Sequence, residues 1–380
     1  MKPAVQLAHH WLVGMRGGEK VLEQLALLFP AVPCHTLVAA PERLSPVLRS
    51  LDLRTSPLQR LPGKMGVRHY KALLPFFPAA IRRMRVEQPI NLLFSSDAAV
   101  IKGLPVPDGV PHLCYCHSPP RYLWDLHETY LQQTSGLGWL GRKVFAATLP
   151  RLREFDLQGA RRVTAFIANS SFVQERIRAC YGRESEVIHP PVNLKDFPVW
   201  VNPREDFYLI VSQLVPYKRV DLAVKACNRL GRKLVIIGEG SERRQLQALA
   251  GPTISFLGAQ PGPVLRDHYR RCRAFIFPGI EDFGITPLEA QASGAPVIAF
   301  RAGGALETVV EGETGLFFDR QDDESLAEAI ERFEQDADRF DPVRCRKQAE
   351  RFGVERFRAE IKAYLERTWP ALFQGTDWPL

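Results

Sequence analysis

The stretch Phe277-Pro-Gly-Ile-Glu-Asp-Phe-Gly-Ile-Thr-Pro-Leu-Glu289 joins a short apolar strand to a helix. Residues 273–277 have the apolar character of a buried strand, and Thr286-Pro287 is typical of a helix start because proline in the first turn loses no hydrogen bond. Four residues then fall where a helix has unpaired N–H donors and the positive end of its dipole: Phe283, Gly284, Ile285 and Thr286. The pattern predicts a diphosphate site at these residues.

Two glutamates, Glu281 and Glu289, flank this predicted site. Carboxylates repel phosphate and accept hydrogen bonds, so a pair beside an anion site suits hydroxyl groups. We expect Glu281 to face a hexose and Glu289 to face a ribose. The alternative is a solvated loop glutamate and a surface helix glutamate, because most glutamates are exposed.

The composition is that of a globular protein with an excess of positive charge. The 380 residues are too many for one ordinary core, and 46% of them are hydrophobic and 24% charged. Residues 1–11 do not resemble a signal peptide, and no run reaches the ~18 apolar residues of a spanning helix. We therefore expect a cytoplasmic protein, either free or peripheral on the inner face of the cytoplasmic membrane.

The net charge of +8 suggests an anionic partner, and the charge is concentrated between residues 54 and 85. This segment contains eight Lys or Arg and no Asp or Glu, with Tyr70, Phe76 and Phe77 among them. Cations mixed with apolar groups suit an anionic membrane surface better than a nucleic-acid duplex, so we expect no nucleic acid. The alternative is a solvated basic face over a buried aromatic stripe.

Seven cysteines without regular spacing predict buried thiols in a reducing compartment. Cys114 and Cys116 precede His117, which raises the alternative of a zinc site, but no second ligand pair of matching spacing exists. No D-x-D sequence occurs at a predicted strand end. We expect neither a metal nor a cofactor.

The second half of the chain alternates short apolar strands with amphipathic helices, which indicates a parallel sheet covered on both faces. The predicted strands are 207–214, 233–238, 253–258, 273–277, 296–300 and 314–318. The first half follows the same rhythm less regularly, with strands near 4–10, 34–39, 91–95, 112–116 and 163–168 and a helix over 69–84. A proline-rich connector at residues 189–203 separates the halves. The pattern predicts two Rossmann-like, doubly wound α/β domains that face each other across a cleft, at 1–198 and 199–365.

Glycines follow two of the predicted strands. Gly17 and Gly18 lie at a strand-to-helix turn, where paired glycines let backbone approach an anion, although such turns are usually structural. Gly238 lies in a second turn of this kind, and Arg243 replaces the third glycine that a dinucleotide site needs, which argues against NAD(P).

Cations and a histidine occupy other strand ends, where ligands of doubly wound domains bind. His117 can bond a sugar hydroxyl through a neutral ring and shares its loop with Arg121, although a lone histidine is more often structural. Lys218 can follow a diphosphate through bond breakage and stabilise the leaving group, and Arg219 is an adjacent second cation.

These motifs resemble those of retaining glycosyltransferases of family 4, which have the GT-B fold. Residues 281–289 resemble the family's E-x7-E signature, residues 303–307 its G-G-x-x-E, and residues 212–218 its G-R-L-x-x-x-K, with Gln213 in place of the arginine. The resemblance covers most of the chain. It implies that the C-terminal helix returns to the first domain, which we place at 366–380, and that Gly238 and Leu257 border the nucleobase.

The resemblance also implies a function. Glu281, Lys218 and His117 would be catalytic. Substrate would be bound by Gly17, Gly18, Arg121, Arg219, Gly238, Leu257, Phe283, Gly284, Ile285, Thr286 and Glu289. The partners would be a nucleoside-diphosphate sugar and a glycan or lipid-linked acceptor, with no metal.

Residues 115–125 and 215–221 are similar to bacterial mannosyltransferases of surface polysaccharide assembly, which implies GDP-mannose as the donor. Two alternatives remain: a nucleotide-sugar epimerase or phosphorylase of the same fold, and a non-catalytic subunit that binds nucleotide sugar or membrane. A phosphorylase would need a pyridoxal lysine, and the motifs fit transfer better.

Overall fold

The computed structural model describes residues 3–62, 65–125 and 138–379. The chain forms two compact units, Met1–His189 with Phe357–Leu380, and Pro190–Arg356. Residues 190–203 of the connector belong to the second unit, and Val192 and Phe197 lie in its core. The sequence-based bounds of 1–198 and 199–365 with a tail at 366–380 stay predictions beside this division.

The first unit contains a seven-stranded parallel sheet with the order β3-β2-β1-β4-β5-β6-β7. Its strands are β1 Val5–His9, β2 Pro33–Thr36, β3 Asp52–Thr55, β4 Leu92–Asp97, β5 His112–Cys116, β6 Ala165–Ala168 and β7 Ser185–Val187. Alternate residues of β4 pack on opposite faces, with Phe94 in one apolar cluster and Leu93 in another. Both faces are therefore covered, as expected for a parallel sheet.

The second unit contains a six-stranded parallel sheet with the order β10-β9-β8-β11-β12-β13. Its strands are β8 Tyr208–Val211, β9 Leu234–Ile237, β10 Ile254–Gly258, β11 Ala274–Phe277, β12 Val297–Phe300 and β13 Gly315–Phe318. Tyr208 and Leu209 pack into clusters on opposite faces. The predicted class, two Rossmann-like parallel-sheet domains, is confirmed.

Helices connect the strands within the described residues. They are α1 Gly17–Leu28, α2 Pro46–Arg49, α3 Met65–Arg68, α4 Phe77–Arg82, α5 Arg121–Trp124, α6 Gly138–Arg162, α7 Ser171–Tyr181, α8 Val220–Leu230, α9 Arg243–Leu249, α10 Gly262–Arg271, α11 Ile285–Ala292, α12 Ala305–Thr308, α13 Asp323–Gln335, α14 Pro342–Glu350, α15 Val354–Thr368 and α16 Pro370–Phe373. Phe357 and Ile361 of α15 are buried in the core of the first unit.

The helix predicted over 69–84 is wrong as a continuous helix. A 3-10 helix spans Tyr70–Phe76, and the short helix α4 follows. Pro75 and Pro78 explain the break, because each removes a backbone N–H donor and its ring crowds the preceding turn.

Cysteines in the structure are free, and all but the partly exposed Cys180 are buried. Burial raises the pKa of the Cys114 thiol to about 12. The prediction of buried thiols is confirmed. Within the described ranges, no helix is long and apolar enough to cross a bilayer.

Candidate functional site

The predicted anion site lies in the loop between β11 and α11. Gly284 precedes the helix with a φ of 88°, a conformation that side-chain-bearing residues adopt only with strain. It has no side chain to cap the helix, so the N–H groups of Ile285 and Thr286 in the first turn have no such acceptor. Phe283 is buried and packs on Phe352, which anchors the loop.

Two residues predicted to be catalytic contact each other directly. Lys218 ends a short 3-10 turn after β8, and its Nζ forms an ion pair with Glu281 Oε1. The side chains are 15% and 20% exposed, respectively, so solvent screens the pair only in part. Gly279 permits the approach, because a Cβ at this position would lie 2.9 Å from Lys218 Cα.

The Gly303-Gly304 pair supports the same loop from behind. Gly304 donates its N–H to the carbonyl of Glu281 at 2.9 Å, and a Cβ on Gly304 would lie 2.2 Å from Phe283 Cα. Gly303 has a φ of 61°. These glycines therefore have a packing role that holds residues 281–283 in place.

Arg219 forms an ion pair and a hydrogen bond with neighbouring residues of the second unit. Its Nε lies 3.1 Å from Asp221 Oδ1, and its Nη1 donates to the carbonyl of Gln321 at 3.4 Å. Gln321 in turn donates to the carbonyl of Pro278 at 3.1 Å. Arg219 thus joins the turn after β8 to the loop after β11, and its role as a second phosphate cation stays a prediction.

Glu289 lies on α11 and is only 3% exposed. Its Oε2 accepts a hydrogen bond from the Tyr269 hydroxyl at 3.0 Å. Burial, with the Glu289 carboxylate adding to it, raises the pKa of Tyr269 well above its usual value, so the phenol stays protonated. The ribose contact of Glu289 stays a prediction.

Gly238 and Leu257 lie at the ends of β9 and β10. Gly238 has a φ of 141°, and a Cβ there would lie 1.8 Å from the Ser212 carbonyl, so only glycine fits. Its N–H donates to the carbonyl of Gly258 at 2.9 Å. The Leu257 side chain is 37% exposed.

In the first unit, sheet register brings a histidine cluster to the carboxyl ends of the strands. His9 lies opposite Ser96 in the β1 and β4 pairing, and His117 follows β5. Ser96 Oγ lies 3.1 Å from His9 Nδ1 and 2.8 Å from His117 Nε2. A Cβ at Gly18 would lie 3.5 Å from His117 Nε2, so the structure brings His117 and the predicted glycine loop together.

His10 also belongs to this cluster, with its ring 4.1 Å from that of His9, and the three imidazoles are neutral near pH 7. Burial lowers the pKa of His10 to about 3 and that of His117 to about 4. Burial also lowers the pKa of His9 well below its usual value, and His10 and His117 lower it further. Neutral rings can both donate and accept, as sugar hydroxyls require.

Gly17 opens α1, and Glu19 lies in its first turn. Glu19 Oε2 accepts a hydrogen bond from the N–H of Arg16 at 3.1 Å, and the side chain is 3% exposed. Burial raises the pKa of Glu19 to about 7.

Arg121 lies on α5 and pairs with Asp125, whose Oδ2 is 3.4 Å from Arg121 Nε. Arg176 approaches the same carboxylate at 2.5 Å. Substrate binding by Arg121 stays a prediction.

Comparisons with known proteins identify the family. A family model described as "Glycosyltransferase Family 4" matches residues 15–196, and one described as "Glycosyl transferases group 1" matches residues 194–352. A GDP-mannose-dependent alpha-(1-6)-phosphatidylinositol monomannoside mannosyltransferase from Mycobacterium tuberculosis is 34% identical over 316 residues, or 74% of this chain and 77% of that protein. The chain belongs to the family 4-like glycosyltransferases of the GT-B fold.

Shorter alignments and solved structures also show similarity to this glycosyltransferase. A GDP-mannose-dependent alpha-mannosyltransferase from Mycolicibacterium smegmatis is 35% identical over 164 residues, which are 43% of this chain and 39% of that protein. The solved structure of Anabaena HepE with UDP has a TM-score of 0.71 at 16% identity, over 97% of this chain and 100% of that one. Sucrose-phosphate synthase from Thermosynechococcus elongatus also has a TM-score of 0.71, at 19% identity over 98% and 100% of the two chains.

Sequence reasoning missed a buried charge network in this glycosyltransferase. Lys102 Nζ lies 3.3 Å from Asp97 Oδ2 and 2.5 Å from Asp156 Oδ1, and all three side chains are at most 1% exposed. Trp124 and Tyr181 donate to Asp156 Oδ2 at 3.0 and 2.9 Å. The network ties the loop after β4 to α5, α6 and α7. The sequence offered no signal for the pairing of Lys102 with Asp156, because these two residues are far apart along the chain.

Sequence reasoning also missed that His117 contacts Ser96, which in turn contacts His9, and that Glu289 accepts a hydrogen bond from Tyr269. A polar Ser95-Ser96-Asp97 run at the end of an apolar strand was a usable signal, because strand ends concentrate functional residues. Among the residues that the structure describes, no group of three or more His, Cys, Asp or Glu is arranged to hold a metal ion.

Proposed function

We propose that this glycosyltransferase transfers mannose from GDP-mannose to a glycan or lipid-linked acceptor in surface polysaccharide assembly, with retention of anomeric configuration. The observation that carries the proposal is the Lys218–Glu281 pair, which lies in the unit that contains the glycine-led N-terminus of α11. The mannosyl donor is supported by the GDP-mannose-dependent relative that aligns over 74% of this chain.

The second unit offers complementary charge to a nucleoside diphosphate. The N–H groups of residues 283–286 and the α11 dipole attract its phosphates, and Lys218 adds a full positive charge. Lys218 then stabilises the leaving diphosphate as negative charge develops on it.

Glu281 neutralises Lys218 until the donor binds. A diphosphate provides more negative charge to Lys218 than one carboxylate does, so donor binding separates the pair. The released Glu281 carboxylate then accepts hydrogen bonds from hydroxyl groups of the hexose. His117, whose ring is neutral, is proposed to form a hydrogen bond to a sugar hydroxyl.

The reaction breaks the bond between the anomeric carbon and the diphosphate oxygen, which leaves with the electron pair. The acceptor hydroxyl forms a new bond to the same face of the oxocarbenium-like sugar, and its proton passes to a phosphate oxygen of the leaving nucleoside diphosphate. This sequence needs no protein base at the anomeric carbon. Gly17, Gly18 and Arg121 are proposed to line the substrate site in the first unit.

We further propose that segment 54–85 contacts an anionic membrane, where a lipid-linked acceptor would lie. Tyr70, Leu74 and Phe77 are buried, so the aromatic stripe is largely internal, but the Phe76 side chain is 58% exposed. Arg60, Arg83 and Arg85 are exposed around the same segment. Exposed cations and one exposed aromatic ring support this contact.

A donor panel tests the enzymatic proposal. The purified protein is incubated with GDP-mannose, GDP-fucose, UDP-glucose and UDP-N-acetylglucosamine, with and without a lipid-linked acceptor, and nucleoside diphosphate release is measured. We expect release from GDP-mannose, strongest with acceptor, and a product with the donor's anomeric configuration by NMR.

Lys218→Met should abolish most of this release, whereas Lys225→Met serves as the matched control, because Lys225 is 45% exposed and pairs only loosely with Asp221 at 3.7 Å. Release from a UDP-sugar alone would overturn the mannosyl donor, and inversion in the product would overturn retention. Binding without release from any donor would indicate a non-catalytic subunit.

A further inference from the structure

Ser96 lies between two imidazoles at the end of β4. Its Oγ contacts His9 Nδ1 and His117 Nε2, and both contacts are within hydrogen-bond distance. Ser96 and His9 are fully buried, whereas His117 is partly exposed. Only His117 is therefore open to a ligand, and the other two groups lie behind it.

Ser96 can donate to only one of the two rings, because a serine hydroxyl has one proton. If it accepted from both rings, its own buried proton would have no acceptor, since within the described residues its Oγ has no further partner. If Ser96 donates to His117 Nε2, then His9 Nδ1–H donates to Ser96. If Ser96 donates to His9, then His117 Nε2–H donates to Ser96. The choice decides which nitrogen of His117 carries its proton.

The surroundings of His9 decide between these arrangements. His9 Nε2 is buried and has no hydrogen-bond partner among the described residues. A proton on Nε2 would be an orphaned buried donor, which is rarer in proteins than an orphaned acceptor. His9 therefore carries its proton on Nδ1 and donates to Ser96, whose hydroxyl proton then points to His117.

Neighbouring groups leave this arrangement intact. His10 accepts the N–H of Ala98 on its Nδ1 at 3.3 Å, so it does not compete for the Ser96 hydroxyl. The backbone of Gly18 covers the pair, since a Cβ there would lie 3.4 Å from His9 Cε1. Burial lowers the pKa of His9 most, and a hydrogen bond to the Ser96 backbone only opposes that lowering.

We propose that Ser96 and His9 are positioning residues that hold His117 in its Nδ1–H tautomer, so that it presents an N–H donor to a hydroxyl oxygen of the bound sugar. The sugar contact rests on the proposed function, whereas the tautomer does not. Within the described part of the chain, Ser96 is the one hydrogen-bond partner of the His117 ring, which leaves Nδ1 available.

NMR measures the tautomer directly. Long-range proton–nitrogen correlation spectra of histidine-15N-labelled protein at pH 7.5 should show a protonated Nδ1 and an unprotonated Nε2 for His117, assigned by its loss in His117→Gln. An Nε2–H tautomer in the wild-type protein would overturn the proposal.

Variants test the relay, in which His9 donates to Ser96 and Ser96 donates to His117, while keeping the fold. Ser96→Ala should shift His117 toward Nε2–H and lower kcat about tenfold with a small change in donor KM, as for a lost oriented hydrogen bond. Ser96→Thr keeps the hydroxyl and should restore the tautomer. His9→Asn keeps an N–H at the Nδ1 position and should preserve the Nδ1–H tautomer of His117. His9→Phe keeps the ring shape but has no N–H, so it should give a mixture of His117 tautomers.

The outcomes separate this inference from the proposed function. The expected tautomer in a protein that releases no nucleoside diphosphate would support the relay and defeat the enzymatic proposal. An active Ser96→Ala variant with the wild-type tautomer would defeat the relay alone.

Discussion

At the residue scale, the Lys218–Glu281 pair links two motifs that lie 63 positions apart in the chain. Each residue type was predicted for the site, but the contact between them was not. The pair compensates the charge of a partly buried cation, because an uncompensated buried charge is unfavourable.

Removing the Glu281 charge should therefore tighten the binding of a free nucleoside diphosphate. Glu281→Gln is expected to lower the Kd for GDP about tenfold, the scale of one partly screened ion pair that no longer has to separate. Lys218→Met should raise that Kd. Isothermal titration calorimetry at low ionic strength checks both, with Lys225→Met as the control.

Turnover should fall when either residue of the pair is removed, although GDP affinity should rise without the Glu281 carboxylate and fall without Lys218. Glu281→Ala and Lys218→Ala are each expected to reduce kcat at least ~100-fold, because both lose contacts in the transition state. Unchanged GDP affinity in Glu281→Gln would mean that the ion pair does not oppose diphosphate binding.

At the element scale, the N-terminus of α1 combines a glycine turn with a buried carboxyl group. A helix start favours negative charge, but burial of Glu19 outweighs this and raises its pKa from 4.5 to about 7. The folded state therefore binds a proton more tightly than the unfolded state. Stability contributed by the protonated form is present below pH 4.5 and is lost as the pH rises to about 7.

Glu19→Gln removes this pH-dependent loss of stability, because an amide does not ionise. It keeps an oxygen that can accept the Arg16 N–H. We expect its free energy of unfolding to exceed that of the wild type by about 1–3 kcal/mol at pH 8, with no excess at pH 4.5. Urea denaturation followed by tryptophan fluorescence reports mainly the first unit, which contains all the tryptophans except Trp200.

Glu23→Gln provides the control, because Glu23 lies on the same helix and is partly exposed. An equal gain from Glu19→Gln at both pH values would attribute the effect to packing instead of ionisation.

Strong local signals also explain which elements were predicted. The strands of the second sheet were predicted from their apolar runs, whereas β3 and β7 were missed because they are short edge strands with few buried residues. Pro75 and Pro78 were visible in the sequence, but the spacing of apolar residues around them outweighed them and led to the wrong helix.

At the scale of the whole molecule, the net charge of +8 and the segment 54–85 bear on location. We expect the protein to sediment with vesicles that contain 30% phosphatidylglycerol and to remain free with phosphatidylcholine alone. Binding should weaken at 0.5 M salt, because screening shortens the reach of the charges.

Two variants separate this contact from general electrostatics. Combined Arg60→Gln, Arg83→Gln and Arg85→Gln should release the protein, whereas Arg229→Gln, Arg320→Gln and Arg339→Gln, an equal charge change in exposed residues of the second unit, should not. Phe76→Ser should weaken binding at all salt concentrations. Equal effects of the two triple variants would exclude a specific membrane contact through this segment.

The fold class and the family were readable from the sequence because they depend on local patterns: apolar runs of strand length, helix starts, and glycines and charges at fixed spacing. The partners of the site residues were not readable, because they depend on register between strands that are distant in the chain. Pairing of β1 with β4 brings His9 to Ser96, and close packing at Gly279 and Gly304 holds Lys218 against Glu281. Tertiary structure decided these contacts, since burial and backbone approach select which polar groups meet, and no spacing along the chain encodes that selection.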